Sequence, residues 1–193
     1  MTRIAIILGS TRPGRNGEAV AQWVQQQSRT RTDADFDLVD LRDHPLPHLD
    51  EAVPASRGQY SQPHTQAWAA VIAGYDGFIF VTPEYNHGTS GVLKNALDYL
   101  YAEWNNKSAG FVSYGSAGGV RAVEQLRLVV AELQMAGVRQ QVQFSLVHDF
   151  ENYSTFVPGP QHEGEVGVLF DQVVSWSEAL RPVREAAARP LAA

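Results

Sequence analysis

Gly9-Ser10-Thr11-Arg12-Pro13-Gly14-Arg15-Asn16-Gly17 decides how this chain is read. The apolar run Arg3-Ile4-Ala5-Ile6-Ile7-Leu8 precedes it, and Ala19, Val20, Trp23 and Val24 recur at helical spacing over Glu18–Gln27. A strand therefore runs into a loop of glycine, hydroxyl and guanidinium groups, and the loop into a helix. That order gathers unpaired backbone N–H groups, two arginines and hydroxyls at one point, which is how a protein holds a phosphate. The loop has neither the GxGxxG pattern of a dinucleotide fold nor the closing glycine–lysine–hydroxyl run of an NTPase loop. Without that lysine and the magnesium-holding hydroxyl, a terminal monophosphate is the expected ligand. Ser10 and Arg12 are the expected contacts. Arg15 is either a third contact or solvent-facing, and Asn16 either joins them or only caps the helix.

Outward from this loop, strand and helix patterns alternate. Phe36–Leu41 is a short strand of mixed pattern, suited to a sheet edge. Residues 42–61, with Pro45, Pro47, Pro54 and Gly58, read as a surface connection to a helix over His64–Ala73. Gly77–Thr82 is the clearest buried strand; residues 83–91 follow it, then a helix from Val92 to about Tyr101. Ala109–Tyr114 is a further strand, and the helix after 115–119 carries Val120, Val123, Leu126, Val130 and Leu133. Val138–Val147 is the last strand and 148–165 is irregular. Leu169, Val173, Trp176 and Leu180 mark a closing amphipathic helix, beyond which the Ala/Pro-rich end is expected to fray.

Five strands with intervening helices predict one α/β domain over 1–193, a parallel sheet covered on both faces. In the doubly wound order 2-1-3-4-5, strands one, three and four are neighbours. The loops 9–17, 83–91 and 115–119 then converge at the carboxyl edge, where open sheets bind ligands.

Composition narrows the chemistry. A chain of 193 residues, 44% hydrophobic and 19% charged, is long enough for a full core. Its formal charge of −6 and the lack of a basic block point away from nucleic acid. No run is long enough to span a bilayer, and the immediate entry into a strand argues against a secretory leader, so a cytoplasmic location is expected. With no cysteine, redox chemistry must be carried by a bound cofactor. Histidines 44, 48, 64, 87, 148 and 162 form no metal-binding spacing.

The other two loops describe a flat ligand. Pro83-Glu84-Tyr85-Asn86-His87-Gly88-Thr89-Ser90-Gly91 combines a fixed proline, aromatic faces at Tyr85 and His87, and glycines that allow close approach. Lys94, one turn into the next helix, reads as structural or surface. Tyr114-Gly115-Ser116-Ala117-Gly118-Gly119 has no basic residue, which suits a neutral ring better than a phosphate. It is also no nucleophile elbow, since Tyr114 stands where a glycine would have to. A monophosphate at one loop and ring contacts at two others describe a flavin mononucleotide site.

Gly9-Ser10-Thr11-Arg12, Thr82-Pro83-Glu84-Tyr85-Asn86, Leu93-Lys94-Asn95-Ala96-Leu97-Asp98 and Ser113-Tyr114-Gly115 with Gly118-Gly119 resemble the NAD(P)H-dependent FMN reductase family, which includes quinone reductases and azoreductases. The resemblance runs from Arg3 to about Met135. It implies a flavodoxin-like fold with FMN at the carboxyl edge of the sheet, reduced by NADPH or NADH and reoxidised by a planar electron acceptor. Carried over by position, Ser10 and Arg12 hold the phosphate while Arg15, Asn16 and Gly17 close around it. Pro83, Glu84, Tyr85 and Asn86 run beside the flavin, and Ser113, Gly115, Gly118 and Gly119 approach the ring. Members are commonly homodimers or dimer-based tetramers, with Tyr99, Tyr101 and Trp104 as natural interface residues or else core packing. No side chain has to act as a nucleophile. Residues 148–165 read equally as a flap over the acceptor or a disordered loop. A flavodoxin-like electron carrier and a non-catalytic flavin-binding regulator are the competing classes.

Overall fold

The computed structural model describes residues 1–187; the last six residues of the Ala/Pro-rich end lie outside them. In chain order the elements are β1 (Thr2–Leu8), α1 (Gly17–Ser28), β2 (Ala34–Asp40), α2 (Pro63–Ala73), β3 (Gly77–Pro83), α3 (Gly91–Asp98), β4 (Ser108–Gly115), α4 (Val120–Glu132) and β5 (Ala136–Ser145). A two-stranded hairpin, β6 (Phe150–Glu151) with β7 (Thr155–Phe156), and the long α5 (Gln161–Ala187) complete the chain. The five-stranded sheet is parallel throughout and ordered β2-β1-β3-β4-β5, the expected flavodoxin-like three-layer sandwich.

Burial follows position in the sheet. Every residue of the central strands β3 and β4 is buried, whereas edge strand β2 is mixed. One face packs Val20, Val24, Leu169, Phe170 and Val173 from α1 and α5. The other packs Trp68, Ile72, Leu93, Leu97, Val123 and Leu126 from α2, α3 and α4. Local signals set the helix starts: Pro63 occupies the first turn of α2, and Ser90 Oγ caps α3 by accepting from the Leu93 amide at 3.2 Å.

Several boundaries differ from the sequence reading, each for a tertiary reason. Strand β2 covers Ala34–Asp40, starting and ending earlier than Phe36–Leu41, because it pairs residue for residue with β1 from Thr2 to Leu8. Strand β5 likewise begins at Ala136, opposite Ser108, and ends at Ser145. Helix α3 stops at Asp98 rather than Tyr101. Tyr99 and Trp104 beyond it are fully buried, so they are core residues and not interface residues. The Tyr99 hydroxyl donates to Asp50 at 2.8 Å, and Trp104 lies 4.8 Å from the Phe78 ring. Residues 148–165 are not irregular: they hold the β6–β7 hairpin and the start of α5, which then continues through Pro182.

Trp68, with Trp104 one of the two largest fully buried side chains among the described residues, donates its Nε1–H to the Ala96 carbonyl at 2.9 Å. Trp68→Ala should cost about 3–5 kcal/mol, read as a lower urea midpoint with FMN absent. Lys107 is also buried, with Nζ donating to the Ile72 carbonyl at 2.9 Å, and desolvation pushes its ammonium down to about 8. Between that value and the ordinary lysine range the unfolded chain binds the extra proton, so stability from this group rises as pH rises through that window. Lys107→Met should remove the rise, shown by urea midpoints of both proteins at two pH values spanning it.

Candidate functional site

The pairing of β1 with β3, and of β3 with β4, brings loops 9–17, 83–91 and 115–119 to one edge. Backbone bonds tie their roots together: the Gly9 amide donates to the Val81 carbonyl at 2.8 Å, and the Glu84 amide to the Tyr114 carbonyl at 3.1 Å. Ser90 Oγ donates to the Gly9 carbonyl, linking the first loop to the cap of α3. Ser10 Oγ lies 3.3 Å from the Tyr85 hydroxyl, so the first two loops also meet through side chains.

In the first loop the two arginines have different fates. Arg12 is exposed, and among the described residues its guanidinium takes part in no ion pair. Arg15 is buried, its side chain only 3% exposed, and is bound to Asp40 by both η nitrogens and to the Ser10 carbonyl. Hydrogen bonding to Asp40 raises the Arg15 guanidinium above its ordinary value. The Asp40 carboxyl, which desolvation would push up, is held below its ordinary value by Arg15. One donor of Arg15 is left over: Nε is buried and, among the described residues, has no partner. Arg15 lines a small cavity together with Arg12, Asn16, Glu84, Tyr85 and Tyr114.

Asn16 does not cap α1; its side chain instead donates to the Tyr153 carbonyl at 2.8 Å. Its backbone is itself helical, which aims the amide outward to the tip of the β6–β7 hairpin. Gly17 is required by crowding, since a Cβ there would run into the Tyr114 hydroxyl. Burial pushes that phenol well above its ordinary range, so it is a neutral donor beside the phosphate loop.

The second loop is a tight turn closed by Tyr85 and Gly88, whose amides and carbonyls exchange bonds at 2.9 and 3.0 Å. Asn86 and His87 sit in the left-handed region, with φ of 50° and 68°. Arg121, in the first turn of α4, holds this conformation. Its side chain and its backbone amide both bond the Glu84 carboxylate, and its Nη1 donates to His87 Nε2 at 2.9 Å. Glu84 is 5% exposed at its side chain; desolvation would raise its carboxyl, but these bonds hold it below its ordinary value. Pro83 ends β3 and is buried. Lys94 points away, paired with Asp98 on an exposed face.

The third loop is shaped by Ser113, whose hydroxyl donates to the Gly118 carbonyl at 2.7 Å. Gly118 and Gly119 take φ of 69° and 75°, and a Cβ on Gly119 would come within 2.7 Å of Ser113 Cβ. Gly115 is pressed between Glu84 and Gly119. The committed hydroxyl makes Ser113 a support of the loop, while Gly115, Gly118 and Gly119 supply its close-approach surface.

The thirteen residues singled out in the sequence lie along one edge of the sheet, where Asp40, Tyr114 and Arg121 stand against them. Asp40 was visible only as the end of an edge strand, and Arg121 as one arginine of an amphipathic helix.

The fit to FMN rests on this donor set. Arg15, whose Nε is an unpartnered buried donor, the unpaired Arg12, Tyr85 and Tyr114 line one small cavity, a donor set that suits a phosphate monoester. Residues 2–149 match the family described as NADPH-dependent FMN reductase. The chain is 46% identical over 135 residues to an NAD(P)H-dependent FMN reductase of Schizosaccharomyces pombe, covering 69% of this chain and 68% of the relative. It is 31% identical over 161 residues to a 2-hydroxy-1,4-benzoquinone reductase of a Burkholderia species, covering 76% and 79%. Among solved structures, the flavoenzyme NAD(P)H:(acceptor) oxidoreductase FerB of Paracoccus denitrificans shares the fold, with a TM-score of 0.70 at 20% identity over 93% of this chain and 98% of that one. With three loops converging at one sheet edge and these matches, the chain belongs to the NADPH-dependent FMN reductase family.

Proposed function

We propose that this FMN-dependent NAD(P)H oxidoreductase delivers its electrons to a quinone, a free flavin or a similar flat acceptor. We further propose that Ser10, Arg12 and the free Arg15 Nε–H hold the FMN phosphate. The orphan Nε carries the reading: a buried donor costs stability unless a ligand supplies its acceptor. The Burkholderia relative, named for a benzoquinone, supports a quinone-like acceptor.

When bound, FMN supplies the hydride and electron transfer between nicotinamide and acceptor. The chain's own residues bind and orient. Asp40 neutralises Arg15 without occupying Nε, so the buried cation does not depend on the ligand for its charge balance. Tyr114 fills the space above Gly17 and keeps water from the inner side of the loop. Pro83, Glu84, Tyr85 and Asn86 present the rigid edge beside the ring, and Arg121 locks that edge from behind. A homodimer or dimer-based tetramer is part of this reading, and Leu128 on α4, 76% exposed, offers such a contact an apolar side chain.

Arg12→Ala should weaken FMN by roughly 10–100-fold, the loss expected for one charge-assisted contact. Riboflavin, which lacks the phosphate, should bind the variant and the parent alike. Equal loss for both ligands, by flavin fluorescence quenching, would place Arg12 away from the phosphate. NADPH oxidation driven by a benzoquinone should be sustained over many turnovers, whereas an electron carrier would show almost none.

Arg121→Ala should release the Tyr85–Gly88 turn and weaken FMN by about 3–10-fold, and Arg121→Lys should recover part of the loss because only the fork geometry is missing. Unchanged affinity in both variants would remove Arg121 from the positioning of the loop.

A further inference from the structure

A second cavity, of about 470 Å³, lies on the other side of the phosphate loop and shares only Thr11 with it. It is enclosed by the 41–48 segment and the first turns of α3. Its volume falls within the range of about 300–1,000 Å³ usual for small-molecule sites. Leu41, Leu46, Pro47 and Val92 give it apolar walls, while Arg42, His44 and His48 stand around it and no carboxylate lines it.

The walls are held in place without a ligand. Asn95 Nδ2 donates to the Pro47 carbonyl at 2.7 Å and its Oδ1 accepts from the Leu49 amide at 3.1 Å. The His44 ring lies against Trp68, centroids 5.2 Å apart. Arg42 leans across the boundary between the two cavities, with Nη2 donating to the Arg12 carbonyl at 2.8 Å. Its Nη1 faces only Glu18, at a loose 3.9 Å, and so keeps donor capacity. The outcome is a preformed slot for a flat apolar heterocycle with cationic and imidazole N–H donors at its mouth. It opens beside the cofactor's phosphate loop.

We propose that this cavity seats the 2′-phosphoadenosine half of NADPH. The adenine would lie between Leu46 and Val92, and the 2′-phosphate would meet Arg42 and His48. The proposal rests on the NAD(P)H-dependent reading above, and it commits to the phosphorylated dinucleotide because the lining is basic and free of carboxylates.

The test uses FMN-loaded protein titrated calorimetrically with 2′,5′-ADP and with 5′-AMP, in the parent, His48→Glu and Val92→Trp. Both substitutions lie outside the phosphate loop and the Glu84–Arg121 clamp. The parent should bind 2′,5′-ADP more tightly than 5′-AMP. His48→Glu should weaken 2′,5′-ADP by about 5–10-fold, the effect of setting a carboxylate against the phosphate, and leave 5′-AMP within twofold. Val92→Trp should abolish binding of both by filling the slot. The KM for NADPH should rise in step in His48→Glu while that for NADH stays constant. Equal binding of 2′,5′-ADP to all three proteins, or none to the parent, would overturn the proposal. If Val92→Trp instead dissociates a dimer in sedimentation, with no nucleotide bound by the parent, the cavity belongs to a second copy of the chain. Failure of the oxidoreductase reading would look different: the flavin of the parent would not bleach with either nicotinamide, whatever 2′,5′-ADP did.

Discussion

The contact on which the site depends is the close approach of Gly9 to β3. Its amide reaches the Val81 carbonyl, and a Cβ at residue 9 would come within 2.8 Å of Leu93 and 2.9 Å of the Val81 carbonyl. A residue without a side chain lets β1 end flush against β3 and the cap of α3. From that point the chain can turn directly over the sheet edge, and Ser10 lands beside Tyr85 of the second loop. The same register carries the third loop alongside through the pairing of Pro83 with Tyr114. Convergence of the three loops is thus a consequence of parallel strand pairing, with glycine supplying the clearance.

Much of this was legible because the determining signals are local. The apolar runs of β1, β3 and β4 are nearly unbroken, as strands buried on both faces must be, and the loops after them carry glycine, hydroxyl and arginine in short compass. The parallel order 2-1-3-4-5 read from those runs puts the loops that hold Ser10, Arg12 and the glycines of 115–119 on one edge. What stayed hidden depends on partners distant in sequence. Arg15 looks like a ligand contact in the sequence, yet most of its donors are taken by Asp40, 25 residues away. Arg121 could not be tied to Glu84 without knowing that α4 starts beside the second loop. Asn16 has the residue type of a cap, but the hairpin tip at Tyr153 competes for its amide. Tyr99 and Trp104 stayed open between interface and core for the same reason, because only the folded chain shows the cluster with Phe78 that buries Trp104.

Charge is distributed across this edge with a clear division of labour. Arg15 is buried and already neutralised, so it can shape the loop in the absence of ligand and still offer one N–H. Arg12 is exposed and, among the described residues, in no ion pair, so on the proposed reading it would follow an incoming phosphate at little desolvation cost. Arg121 stabilises the loop beside the ring, and Arg42 bonds the outside of the phosphate loop. On the proposed reading, one fixed and one free cation would favour a phosphate without requiring the loop to fold around it.

A crystal structure of the FMN complex tests this arrangement most directly. The expected result is a phosphate oxygen within hydrogen-bonding distance of both Arg15 Nε and Ser10 Oγ, with the Arg15–Asp40 pair intact. A phosphate bound elsewhere, leaving Arg15 Nε without a partner, would contradict it.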